Sequence, residues 1–179
     1  RVSGPEARQI LGSLFSGRIE PRRVGFGDLR HQGELLDRAT AVFYPGPASF
    51  TGEDMAEFII HGGQAVVRRV LEALLQCGAR AAEAGEFTRR AFLNGKLDLT
   101  EAEAVMDLIS AQSLRGARSA AEQLAGSVSR RVNAILDPLI DALAGLNAAI
   151  DYPDELEEDV FSALPGTLAT AEAAIAALT

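Results

Sequence analysis

The sequence changes character once, across Gly85–Asp107 (GEFTRRAFLNGKLDLTEAEAVMD), and that change limits what the chain can fold into. Before it lie short β-forming runs broken by Gly/Pro turns; after it lies almost nothing but helical periodicity. The pattern predicts an α+β domain over residues 1–98, followed by an all-α partial helical bundle over residues 99–179. Inside the transition, Asn94-Gly95 marks a turn in which Gly95 is free to take positive φ. Thr100 is the expected N-cap of a long helix, with Glu103 as its N3 partner in a capping box. Glu86, Arg89, Arg90, Lys96 and Asp98 crowd around this turn. Taken alone, such a cluster is a solvated, self-paired junction.

Charge divides along the same line. The net charge is −8, but residues 1–99 hold thirteen Lys/Arg against twelve Asp/Glu, and residues 100–179 hold four against thirteen. An acidic helical half is a poor phosphate binder, so any nucleic-acid contact belongs to the first half or to other chain segments. The single cysteine, Cys77, excludes a disulfide framework. It sits at the end of an amphipathic helix, where a packing thiol is expected rather than a nucleophile. Two histidines and one cysteine do not make a zinc site at the usual spacings, and no metal site is expected. No apolar run approaches a membrane span and no secretory signal opens the chain. The opening Arg1-Val2-Ser3-Gly4 resembles the end of a strand that begins earlier, as in a fragment of a longer protein.

Along the chain, Gly4-Pro5 should open a first helix, with Ala7, Ile10, Leu11, Leu14 and Phe15 on its buried face and Gly17 ending it. Strands are expected at Arg22 to Phe26 and Glu34 to Tyr44, the second bulged near Asp37, with Gly27 to Gly33 as a polar turn between them. Pro45-Gly46-Pro47 stops the second strand. Phe58 to Ile60 reads as a short strand, His61-Gly62-Gly63 as a tight turn, and Gln64 to Gln76 as a helix. His61 is expected to be a partly buried, backbone-bonded histidine, and Glu53, Asp54 and Glu57 to be charges near a helix start or polar-ligand contacts. One more strand is expected at Ala79 to Ala82 and a short helix or turn at Glu86 to Leu93.

From Thr100 onward the spacing is helical, with a break or bend near Ser110 to Leu114. Leu124, Val128, Val132, Ile135, Leu139, Leu143, Leu146 and Ile150 form an apolar stripe about 40 Å long at ~1.5 Å per residue. Pro138 should kink it. Asp154 to Asp159 reads as an acidic loop and Gly166 to Leu178 as a final helix. One long stripe on two or three helices needs more helix to cover it.

Three stretches are more specific than periodicity. They are Tyr44-Pro45-Gly46-Pro47-Ala48-Ser49-Phe50-Thr51-Gly52-Glu53-Asp54 with Glu57 and His61-Gly62-Gly63; Gly85 to Leu99; and Ala149-Ile150-Asp151-Tyr152-Pro153-Asp154. In order and spacing they closely resemble the bacterial and organellar tRNA-modification GTPase family MnmE (TrmE), over nearly the whole chain. The resemblance implies a tetrahydrofolate-binding and dimerisation domain, related in fold to the folate domain of aminomethyltransferases, followed by part of a helical domain into which a G domain is inserted. It implies a cytoplasmic homodimer that works with the FAD-dependent partner MnmG on C5 of wobble uridine in tRNA. The one-carbon unit would come from a tetrahydrofolate derivative (5-formyl or 5,10-methylene), and GTP, Mg²⁺ and K⁺ would act only through the G domain.

Carried over by position, the family's folate contacts fall on Arg1, Glu57 and Lys96, with Arg90, Asn94 and Asp98 as second-tier residues that shape the turn. A carboxylate such as Glu57 suits the amino-pyrimidine edge of a pterin, and cations such as Arg1 or Lys96 suit its glutamate tail. The sequence contains no Gly-x-x-x-x-Gly-Lys-Ser/Thr loop and lacks the family's C-terminal cysteine motif, so no catalytic residue is expected within it. Two other functions compete. One is a non-catalytic assembly module that pairs chains and docks MnmG around a vestigial folate site. The other, a free-standing aminomethyltransferase-like enzyme, is disfavoured because the chain is too short for that fold's further domains.

Overall fold

A computed structural model describes residues 1–152 and 159–177, and the chain divides into two compact units, Arg1–Ala102 and Glu103–Thr179. In the first unit four strands form one antiparallel sheet in the order β1-β4-β3-β2, from β1 (Val2–Ser3), β2 (Gly25–His31), β3 (Glu34–Tyr44) and β4 (Met55–Ile59). Helices α1 (Ala7–Leu14) and α2 (Gln64–Gln76) complete its core. Ile10, Leu11 and Leu14 of α1 and Val70, Ala73 and Leu74 of α2 are buried with Leu29, Ala39, Ala41, Phe43 and Ala56. Alternation along the strands then decides which side chains face away from that core. Val2 and Ala56 point into it; Arg1, Ser3, Met55 and Glu57 belong to the opposite face.

Several boundaries differ from the sequence expectation. The first hairpin strand covers Gly25–His31, so most of the segment expected as a polar turn is strand, and only Gln32-Gly33 turns. Leu29 decides this: it is 1% exposed and bridges to Phe15, so apolar burial draws the polar Gly27–His31 run into the sheet. The bulge near Asp37 is present, since pairing steps from Leu29↔Asp37 to Arg30↔Leu35 and leaves Leu36 over. Helix α1 ends at Leu14 rather than at Gly17, because Phe15 turns extended to make its bridge to Leu29. Residues 79–82 form no strand; Arg80 instead turns to ion-pair with Glu86.

Helix α3 (Glu86–Leu93) ends in a Schellman motif. The Lys96 N–H donates to the Ala91 carbonyl at 2.8 Å, the Gly95 N–H to the Phe92 carbonyl at 3.0 Å, and Gly95 takes φ +66°. Helix α4 (Leu99–Ser110) is capped two residues earlier than expected. Asp98 Oδ1 accepts from the Glu101 N–H at 2.8 Å, and Glu101 Oε2 accepts from the Asp98 N–H at 2.9 Å. Asp98-x-x-Glu101 is therefore the capping box, and Thr100 donates its hydroxyl to Asp98.

In the second unit α5 (Leu114–Leu124) starts at the Ser113 N-cap, α6 runs Ser127–Asp151, and α7 runs Asp159–Ala176. The long stripe is divided: Leu124 closes α5, and Gly126, at φ +76°, separates it from α6. Helix α6 continues through Pro138 and packs along α7, where Arg131 donates to the Ala177 carbonyl at 2.9 Å. No residue of α6 is buried, and Leu136, Ile140, Leu143 and Ile150 are exposed. By length and composition alone α6 is long and apolar enough to cross a membrane, contrary to the sequence expectation. Arg130, Arg131, Asp137 and Asp141 within it, and its packing on α7, give it the pattern of a bundle helix. The last helix starts before Gly166 and contains Pro165. The expected acidic loop lies outside the described residues, apart from Asp159, which opens α7.

Candidate functional site

The loop between β3 and β4 is the centre of the site. Its shape comes from polar groups tied back onto neighbouring backbone. Ser49 Oγ donates to the Glu53 carbonyl at 2.5 Å, and Asp54 Oδ1 accepts from the Gly46 N–H at 2.9 Å. Thr51 is fully buried, and its hydroxyl lies 2.6 Å from Ser3 Oγ on β1. Gly52 takes φ +78°, which L side chains rarely adopt, and a Cβ there would lie 3.1 Å from Asn94 Cβ and 3.3 Å from Lys96 Cγ. The loop therefore needs glycine at this position for two independent reasons.

Four of the six residues predicted from sequence fall into two groups around this loop. In the first group, Arg1 and Glu57 are cross-strand neighbours, since Val2 pairs with Ala56. Arg1 Nε donates to Glu57 Oε1 at 2.7 Å, and the Arg1 guanidinium lies 5.6 Å from the centre of the Phe50 ring. In the second group, Lys96 lays its aliphatic stem along Gly52, and Asn94 Nδ2 donates to the Thr51 carbonyl at 2.7 Å. Lys96 is exposed and has no ion pair among the described residues. Arg90 belongs to the frame rather than the open site: it joins Glu53 at 2.9 Å and Glu86 at 2.6 Å. Asp98 is occupied by capping α4. The two groups meet through Phe50 and Gly52 of one loop, and among the described residues Glu57 pairs with Arg1 rather than with Lys96.

Three contributors escaped the sequence analysis: Phe50, Ser3 and Glu53 in its structural role. Phe50 and Glu53 lie within the motif that carries Glu57, but the partners that give them meaning are some forty or more residues away. Glu86 is a strongly perturbed acid. The hydrogen bonds from Arg80, then the Glu83 backbone N–H and Arg90, hold its carboxyl far below the usual range. The self-paired junction expected around the turn is thus half right, since Glu86 and Arg90 pair while Lys96 stays open. His61 is exposed rather than partly buried, and binds Asp37 through Nδ1 at 2.8 Å and its backbone N–H at 2.9 Å. Cys77 is half-buried against Ser13 and His31. A cavity of about 590 Å³ opens beside Arg1, Glu86 and Arg90, with Ile10, Leu71 and Leu74 on its apolar wall.

Residues 1–96 match the family described as GTP-binding protein TrmE N-terminus, and residues 99–179 match the MnmE helical domain. A protein of Caulobacter vibrioides named tRNA modification GTPase MnmE is 50% identical over 161 residues, covering 89% of this chain and 36% of that protein. Its namesake in Methylorubrum populi is 49% identical over 183 residues, covering 99% of this chain and 41% of the relative. In Thermotoga petrophila the protein of that name is 45% identical over 159 residues, covering 88% and 35%. The chain thus spans little more than a third of the length of these relatives. Its two units and the two matched segments agree on the same order, and the chain belongs to the MnmE (TrmE) family, as the N-terminal domain followed by helical-domain sequence.

Proposed function

We propose that this chain is the one-carbon-carrier and pairing part of a tRNA-modification GTPase. In this reading Arg1, Glu57 and Lys96 bind a tetrahydrofolate derivative (5-formyl or 5,10-methylene) on an aminomethyltransferase-like domain of residues 1–98, and residues 99–179 are helical domain. Two copies pair as a homodimer in the cytoplasm and act with MnmG on C5 of wobble uridine in tRNA. GTP, Mg²⁺ and K⁺ belong to a G domain outside these residues. The family membership and the relatives' names support the tRNA-modification setting.

The single observation that carries the folate assignment is the loop that touches both residue groups, with Phe50 under Arg1 and Gly52 under Lys96. The donor set fits the ligand. Glu57 already accepts a guanidinium N–H, the type of planar donor that an amino-pyrimidine edge presents. Lys96, with no carboxylate partner among the described residues, has its charge available to an anionic glutamate tail. When bound, the folate supplies the one-carbon unit; the chain's residues hold and orient it. Calorimetric titration with 5-formyltetrahydrofolate, alongside the mass of the chain in solution at micromolar concentration, tests this. A dimer that binds one folate per chain is expected. A dimer that gives no heat supports the assembly-module reading instead, and a monomer that gives no heat overturns both.

A further inference from the structure

Three chain segments that carry the ligand residues converge on one carboxylate oxygen. Glu53 Oε2 accepts from Ser3 Oγ at 2.8 Å and from Arg90 Nη1 at 2.9 Å. Ser3 lies on β1 (Val2–Ser3), directly after Arg1 and Val2; Arg90 lies on α3 (Glu86–Leu93), whose C-terminal turn leads to Lys96. Glu53 itself sits in the loop between Phe50 and Glu57. Arg90 is in turn gripped from its other side by Glu86, which Arg80 also holds. Thr51 adds a parallel tie, with its hydroxyl on Ser3 and its carbonyl on Asn94.

A surface ion pair alone contributes little to stability. Here, with both side chains 30% exposed, the pair does something else: β1 and β4 are already joined in the sheet, and the Glu53–Arg90 pair ties α3, which leads to Lys96, onto them. We propose that Glu53 is a positioning residue for the folate site, setting the spacing between the Arg1–Glu57 pair and Lys96 without touching the ligand. This rests on the folate reading above. Because one oxygen accepts both bonds, the amide oxygen of Glu53→Gln can accept them too, whereas Glu53→Ala removes both. The expected order is therefore wild type close to Gln, and both far from Ala.

Lys96 is the only lysine among the 179 residues, which makes the geometry readable without folate. Reductive ¹³C-methylation gives one side-chain resonance, assigned by its absence from Lys96→Arg. Glu53→Ala should shift that resonance and, in unmodified protein, weaken 5-formyltetrahydrofolate binding at least tenfold by calorimetry. Glu53→Gln should leave the resonance in place and stay within about threefold in affinity. Ser3→Ala, which leaves the Arg90 bond to Glu53 in place while removing the Ser3 bonds to Glu53 and Thr51, should fall between them. An unmoved resonance and unchanged affinity in a folded Glu53→Ala overturns the proposal. So does equal loss of affinity in the Ala and Gln variants with the resonance unmoved, which would place Glu53 on the ligand. If wild type binds no folate while Glu53→Ala still moves Lys96, the positioning role stands and the folate reading fails.

Discussion

Replacing Gly52 by alanine tests the close approach at the centre of the site. Three effects combine. Alanine lowers the entropy of the unfolded chain, which favours the variant by about 0.4–1 kcal/mol. Against this, the backbone at φ +78° costs an L-residue about 1–2 kcal/mol. The new Cβ also meets Asn94 Cβ at 3.1 Å and Lys96 Cγ at 3.3 Å. Lys96 can swing its stem aside; Asn94 cannot move without losing its 2.7 Å bond to the Thr51 carbonyl, so overpacking adds about 1 kcal/mol. The net expectation is a loss of about 2 kcal/mol, or roughly a 1 M lower urea midpoint for a typical slope of ~2 kcal/mol/M. Gly12→Ala is the control. Gly12 lies within α1 with open space around its Cβ and no positive φ, so alanine there should stabilise by about 0.5–1 kcal/mol. Equal midpoints for wild type and Gly52→Ala, with Gly12→Ala behaving as expected, would refute the packing described for this loop.

Further expectations concern the frame around the site. Asp98→Ala should cost about 1 kcal/mol of stability through loss of the α4 cap, and Thr100→Ala clearly less, by urea unfolding; the reverse order would restore Thr100 as the cap. Glu86 is lowered from an ordinary value of 4.5, so its stabilisation is complete above that pH and is lost as pH falls toward its folded-state value. Thermal midpoints of wild type and Glu86→Gln should therefore differ most above pH 5 and converge in acid. A gap that widens on acidification would mean the network is not held by an ionised Glu86.

How much of this was legible in the sequence depended on how local the cause was. Helix α2 matched the expected Gln64 to Gln76, because its periodicity and the flanking Gly62-Gly63 lie within the segment itself. The hairpin shifted because Leu29 answers to Phe15, across the domain, and not to its polar neighbours. At the start of α4 two overlapping patterns, Asp98-x-x-Glu101 and Thr100-x-x-Glu103, both satisfied the capping rule. Position relative to the Schellman turn at Gly95-Lys96 selected the first. The ligand residues could be named from the family motifs, but the contacts among them could not. That Phe50 lies under Arg1, and that Glu53 links Ser3 to Arg90, follows from strand pairing and helix placement across some forty to fifty residues.

The most direct measurement is a crystal structure of the chain with bound 5-formyltetrahydrofolate. One folate should contact both the Glu57 carboxylate and the Lys96 ammonium, across the loop that carries Phe50 and Gly52. A folate seated elsewhere, or one that touches only one of those two side chains, would contradict a shared site.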